Sequence, residues 1–235
     1  IGQALAAAYR TVEDRLCHSL HAYFIRPGDP AIPVVYQVDR ARDGGSFTTR
    51  RVVAIQHGRQ ILNMSASYHV AEDGWHHQHP MPEVEGPDNL ADRTTLRQTV
   101  VDRIPEKYHE EFLRPRPIDI REVAPRDFFT PEPVEDRSHL WFRMAAARGI
   151  SPQLQHCLLA YASDLNLLGT ALRPHGQTLF TGRVMAASLD HAMWFHAPAE
   201  FCDWHLYTMD SPWSGGGRGF NRGMSYDRHG TLVAS

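Results

Sequence analysis

Two stretches decide the fold: "AYFIRPGD" at residues 22–29 and "AMWFHAPAE" at residues 192–200. Each follows an apolar helical segment and carries an aromatic-rich extended run ending near a proline. Downstream of the first come "GGSFTTRRV" and "GRQILNMSAS"; downstream of the second come "GGRGFNRGM" and "HGTLVAS". Pairing Pro27 with Pro198 gives a separation of 171 positions, Phe47 with Phe220 gives 173, and Ile61 with Leu232 gives 171 again. Landmarks that keep their order and spacing define an internal duplication.

Around these stretches the period of the sequence changes twice. Residues 2–14 are Ala-rich with Leu5, Ala8 and Val12 on one face, a helical pattern. "CHSLHAYFIRP", "PVVYQVDRARD", "SFTTRRVVAIQHG" and "RQILNMSASYHV" follow as four strands, rich in β-branched and aromatic residues and separated by Pro, Gly and Asp. From "HQHPMPEVEGPDNL" onward the composition turns to proline and acid, which marks a connector. Residues 93–113 carry a weak helical pattern, and one strand is expected within residues 118–123. The order then repeats: "HLWFRMAA" reads as a strand, and "SPQLQHCLLAYASDLNLLGTAL" as one helix with Ser151 as N-cap and Pro152 in its first turn. The expected architecture is α+β, a double hotdog of two helix-plus-antiparallel-sheet repeats sharing one continuous sheet. Its divisions are residues 1–79 for the first repeat, 80–137 for a Pro-rich linker and 138–235 for the second. The chain starts mid-pattern at Ile1 and stops within the strand-like "GTLVAS", so segments beyond both ends are expected.

At 235 residues and 42% hydrophobic content the chain can bury a sizeable core. A net charge of −3 disfavours bulk attraction to nucleic acid. No run reaches the roughly 20 apolar residues of a membrane-spanning helix. Cys17, Cys157 and Cys202 are odd in number and widely spaced, as expected of free thiols in a reducing, cytoplasmic setting. "WHHQH" at residues 75–79 lacks a helical metal-ligand spacing and lies in the connector, so no metal is expected there.

The candidate chemistry lies in "SLDHAMWFH" and "DSPWSGGGRGF". Asp190 sits among apolar residues, where an unpaired carboxylate taken out of water is costly. Aligning Phe24 with Phe195 sets Ser19 opposite Asp190, so the carboxylate belongs to one copy only, and a demand of the fold alone would appear in both. Asp190 and His191 are adjacent on a strand and point to opposite faces, which counts against a dehydratase-type Asp–His pair. In residues 210–220, Ser211 and Ser214 flank a Gly-rich turn whose Gly216 and Gly217 permit close approach to a substrate. Arg50 and Arg51 of the first repeat are candidate contacts for phosphates.

The blocks "FIRPGD", "DGGSFTTRRVVAIQHG", "YASDLNLL", "SLDHAMWFH" and "DSPWSGGGRGF" resemble those of the acyl-CoA thioesterase II family across nearly the whole chain. The resemblance implies hydrolysis of acyl-CoA to fatty acid and CoA at an aspartate, a hydroxyl residue and a glutamine. Asp190 matches the aspartate, Ser211 the hydroxyl with Ser214 in reserve, and the glutamine is expected beyond Ser235. A water held by these groups attacks the thioester, and neither metal nor organic cofactor is required. The expected partner is the acyl-CoA substrate, and the expected assembly is a homo-oligomer. The competing reading is a non-catalytic acyl-CoA-binding or regulatory module, which would keep the pocket without needing Asp190.

Overall fold

The computed structural model describes residues 1–235. Helix α1 (Gly2–Tyr9) precedes four long strands, β1 (Leu16–Phe24), β2 (Val35–Asp43), β3 (Phe47–Gln56) and β4 (Arg59–His69). They pair antiparallel in the order β2-β3-β4-β1, and β7 (Asp190–Trp194) lies on the free edge of β1. A second sheet has the order β10-β9-β8-β6-β5, from β5 (Asp119–Glu122), β6 (Arg137–Arg143), β8 (His205–Gly215), β9 (Arg218–Asp227) and β10 (Leu232–Ala234). The two sheets join where Trp194 and Ser235 exchange backbone hydrogen bonds of 2.7 and 2.9 Å and Phe195 bridges Ala234. All ten strands thus form one continuous sheet, as the duplication predicts.

Alternation along the strands sets the faces of this sheet. In β3 every second residue from Thr48 to Gln56 is buried, and β4 buries Leu62, Met64, Ala66 and Tyr68. Helices α1 and α4 (Pro152–Ala162) cover that inner face. Burying a side chain such as Leu5 or Leu159 contributes about 1.5–3 kcal/mol relative to exposure. The helices approach closely at Gly2, where a Cβ would lie 2.7 Å from the carbonyl oxygen of Cys157. One polar knot crosses this core. The Cys17 N–H donates to Tyr9 Oη (2.9 Å), Tyr9 donates to His156 Nδ1 (3.0 Å), and the imidazole stacks on Phe195 at 4.2 Å. Burial pushes His156 down to about 4 and the Cys17 and Cys157 thiols up to about 12.

The strand pairing gives the duplication a register. Ser19 pairs with Trp194, His21 with Ala192 and Tyr23 with Asp190, so a shift of 171 positions maps the β1–β7 ladder onto itself about a pseudo-two-fold axis at His21 and Ala192. The same shift carries Asp39↔Arg51 onto Asp210↔Arg222, and both hairpins have a bulge just beyond that pair. The turn before β10 is one residue longer, so there the shift becomes 172: Phe24↔Leu62 matches Phe195↔Ala234. Two of the three sequence landmarks therefore move. Phe220 corresponds to Thr49 rather than Phe47, and Leu232 to Gln60 rather than Ile61. Residue likeness pointed to the wrong partner, whereas ladder geometry fixes the right one.

Three helix expectations are also corrected. The first helix ends at Tyr9, after which Asp14 adopts φ 52° on the way into β1. The long helix expected from Ser151 keeps its cap, with Ser151 accepting from the Leu154 N–H, but it stops at Ala162. Asn166 then takes φ 67° and a short α5 (Leu167–Thr170) follows. Residues 93–113 divide into α2 (Arg93–Gln98) and α3 (His109–Leu113), separated by Pro105, which cannot continue a helical hydrogen-bond ladder.

The connector does more than span. Met81, Val84 and Leu90 pack on Trp141, Trp204, Leu206 and Tyr226, covering the outer face of the second sheet. Trp141 Nε1–H donates to the Glu85 carbonyl (2.8 Å), and Gln78 bonds the backbone of Gly230 (2.7 Å) and Leu232 (3.0 Å). The segment expected as linker also supplies β5 to the sheet.

Candidate active site

Asp190 opens β7 and projects to the outer face, half-exposed, while His191 is buried on the inner face. A strand places successive side chains on opposite faces, and here that separates the two side chains. The Asp190 carboxylate accepts from His21 Nε2 at 3.2 Å across the β1–β7 ladder. This aspartate is both wet and paired.

His191 belongs to a different group of side chains. Its Nε2 lies 2.9 Å from Ser163 Oγ, and its Nδ1 lies 3.9 Å from Asp164 Oδ1. Because the Ser163 hydroxyl donates to the Ala160 carbonyl (3.0 Å), Nε2 carries the proton and donates to Ser163. Burial lowers the His191 pKa, with Asp164 pulling the other way. Tyr207 Oη–H donates to the Ser163 carbonyl (2.6 Å), so the end of α4 is tied to both β7 and β8. The helix break after Ala162 is what presents Ser163 and Asp164 to β7.

A cleft of about 1920 Å³ lies between β7 and β9, which β10 joins only over its short length. Asp190, Ser214 and Gly217 line it, together with Asp164, His191 and Tyr207. Ser211 does not line it: its side chain is buried at the β8 bulge, and its hydroxyl donates to the Phe220 carbonyl at 3.0 Å. Gly216 and Gly217, with φ of 56° and 73°, form the two-residue turn between β8 and β9, a conformation that disfavours residues with a Cβ. Arg50 is 2% exposed, and its five N–H groups are taken by Thr11, Asp43 and the carbonyls of Arg42 and Thr49. It clamps the end of α1 to the β2–β3 hairpin and has no donor left for a phosphate. Arg51 stands exposed on β3 between Asp39 and Ser65.

Sequence reasoning missed His21, Ser163, Asp164 and Tyr207. His21 was findable, because the 171-position repeat puts it on the pseudo-axis, diagonal to Asp190. The other three depend on where α4 breaks, which the helical pattern conceals.

One helix buried in each half of a curved antiparallel sheet, repeated within a chain, defines a double-hotdog protein, and the cleft beside Asp190 is its candidate active site. Residues 109–235 match the sequence profile of the acyl-CoA thioesterase family, and residues 1–69 match that of the acyl-CoA thioesterase N-terminal domain. The whole chain is 36% identical to acyl-CoA thioesterase 2 of Haemophilus influenzae, covering 82% of that protein. It is 41% identical to human acyl-coenzyme A thioesterase 8, again over its full length and over 76% of the relative. The crystal structure of the acyl-CoA thioesterase II TesB2 from Mycobacterium marinum superposes with a TM-score of 0.80 at 41% identity, covering 99% of this chain and 83% of that one. The chain belongs to the acyl-CoA thioesterase family.

Proposed function

We propose that the chain hydrolyses acyl-CoA thioesters to free fatty acid and CoA, with Asp190 as the group that activates water. The observation that carries this reading is the Asp190 carboxylate on the wall of the cleft, held by His21 at 3.2 Å. A thioester carbonyl is electrophilic enough for a positioned water to attack. Asp190 takes a proton from that water as the C–O bond forms, and the thiolate of CoA leaves with a proton from solvent or from the acid so generated. His21 fixes the carboxylate rotamer and steadies its charge through the change. Ser214, exposed on the same cleft, is positioned to hydrogen-bond the water or the substrate. Ser211 fills that role only if its hydroxyl leaves the Phe220 carbonyl.

The expectation of a cytoplasmic protein is supported by its three free cysteines, two of them buried, and no helix is long and apolar enough to cross a membrane. The expectation of a homo-oligomer is supported by Tyr23 and Trp194, half-exposed pseudo-symmetric partners on the outer face.

Thiol release from acyl-CoA, followed with Ellman's reagent for wild type and Asp190→Asn, tests the reading. Turnover in wild type with loss in the variant is the expected result. Acyl-CoA binding without turnover in wild type would establish the non-catalytic module instead.

A further inference from the structure

We infer that the β8–β9 hairpin tip binds the adenosine 3′,5′-diphosphate end of CoA, with Trp213 and Phe220 as the stacking surface and Arg218 and Arg183 as the phosphate-facing cations. This rests on the proposed function and extends it to how the substrate is held.

Four observations converge. Trp213 and Phe220 are cross-strand partners on the outer side of the hairpin, each about half-exposed at 49% and 54%. A buried aromatic pair at a hairpin tip would be packing, but two adjacent half-exposed rings offer a platform for a planar base. The indole lies over Gly215, where a Cβ would come within 3.0 Å of Trp213 Cζ2, so the first glycine of the triplet makes room for the ring while Gly216 and Gly217 make the turn.

Charge is arranged to match. Arg222 is spent on Asp210 through two bonds of 2.9 and 2.6 Å. Arg218 instead has its guanidinium 5.8 Å from the Trp213 ring centroid, and it pairs with no carboxylate. Arg183 is likewise unpaired, lies in the loop leading to Asp190, and lines the same cleft as Arg218, Trp213 and Phe220. Unpaired arginines beside half-exposed aromatic rings suit a ligand that is aromatic and polyanionic together.

The duplication supplies the control. At the corresponding places on the β2–β3 hairpin stand Arg42 for Trp213 and Thr49 for Phe220, paired with each other in the same register. Hairpin and bulge are common to both copies, so they do not require the aromatic pair. The pair occurs in the copy that also carries Asp190, which places a base-binding platform and the reactive carboxylate on one cleft.

The test compares an acyl-CoA with the same acyl group on pantetheine, which keeps the thioester and lacks the nucleotide. Trp213→Ala and Arg218→Gln are each expected to raise KM for acyl-CoA about tenfold, the scale of one lost stacking or phosphate contact, with kcat and all kinetics on the pantetheine ester unchanged. Calorimetry with adenosine 3′,5′-bisphosphate alone should show the same tenfold weakening. Parallel changes on both substrates, or no change on either, would overturn the assignment. Should wild type hydrolyse neither thioester yet bind the bisphosphate through Trp213, the proposed activity falls and the nucleotide subsite stands.

Discussion

From β1 and β7 onward the two repeats share a four-strand plan to within a single-residue insertion, yet differ in much of their polar chemistry. Ser19 answers to Asp190, Thr49 to Phe220, Arg42 to Trp213 and Arg50 to Asn221 under the 171-position shift. What is common to both halves, the buried alternation and the bulge after Asp39 and Asp210, is what the sheet requires. What differs is free to serve reaction or local stability, and the contrast sorts residues without reference to any other protein.

That sorting can be broken most sharply at Asp190. Asp190→Ala should lower kcat by about 100-fold or more in a folded protein, the scale of a lost general base, while Ser19→Ala should change it less than about twofold. Equal losses in the two variants would mean that the halves share the work. The next effect falls on stability. Arg50→Ala should cost about 2 kcal/mol in urea unfolding, because it leaves Thr11, Arg42 and Asp43 groups without their donor. Asn221→Ala should cost far less, since its side-chain oxygen is buried without a partner. A costly Asn221→Ala with a harmless Arg50→Ala would reverse the assignment of structural roles.

The smallest effect is a pH dependence from His156, whose folded pKa of about 4 lies below the usual 6.5. Between those values the unfolded chain binds the extra proton, so the stabilisation from neutral His156 is complete above about pH 6.5 and is lost as pH falls toward 4. Protonation at Nδ1 would also break the bond from Tyr9. From pH 7 to pH 5, wild type should lose about 1–2 kcal/mol more than His156→Gln does, read from urea midpoints. Identical slopes would mean that the imidazole is not held neutral.

Much of the architecture could be read from residues alone because strands advertise themselves locally. The four strands of the first repeat, the Ser151 cap and the repeat itself all rest on short-range pattern. The errors arise where a distant contact overrides that pattern. Residues 151–172 look continuously helical, but Ser163 turns its hydroxyl to His191 and Asn166 goes left-handed. "SFTTRR" offers two exposed-looking arginines, and only the strand pairing reveals that Arg50 faces inward to a set of carbonyls. At the site, Asp190 stood out because charge in an apolar run is conspicuous. His21 did not, because its significance lies in a cross-strand diagonal, and Ser211 looked available until the β8 bulge turned it toward Phe220.

The pseudo-axis through His21 and Ala192 has one more implication. In a dimer of identical chains, a residue on the two-fold axis must face its own copy, and every substitution is made twice, at both ends of the interface. Joining the halves in one polypeptide lifts that constraint at the centre of the sheet. A histidine then meets an alanine, a tyrosine meets an aspartate, and a serine meets a tryptophan. Each half can thus change residues that the other keeps, with the axis surviving only as a trace in the hydrogen-bond ladder.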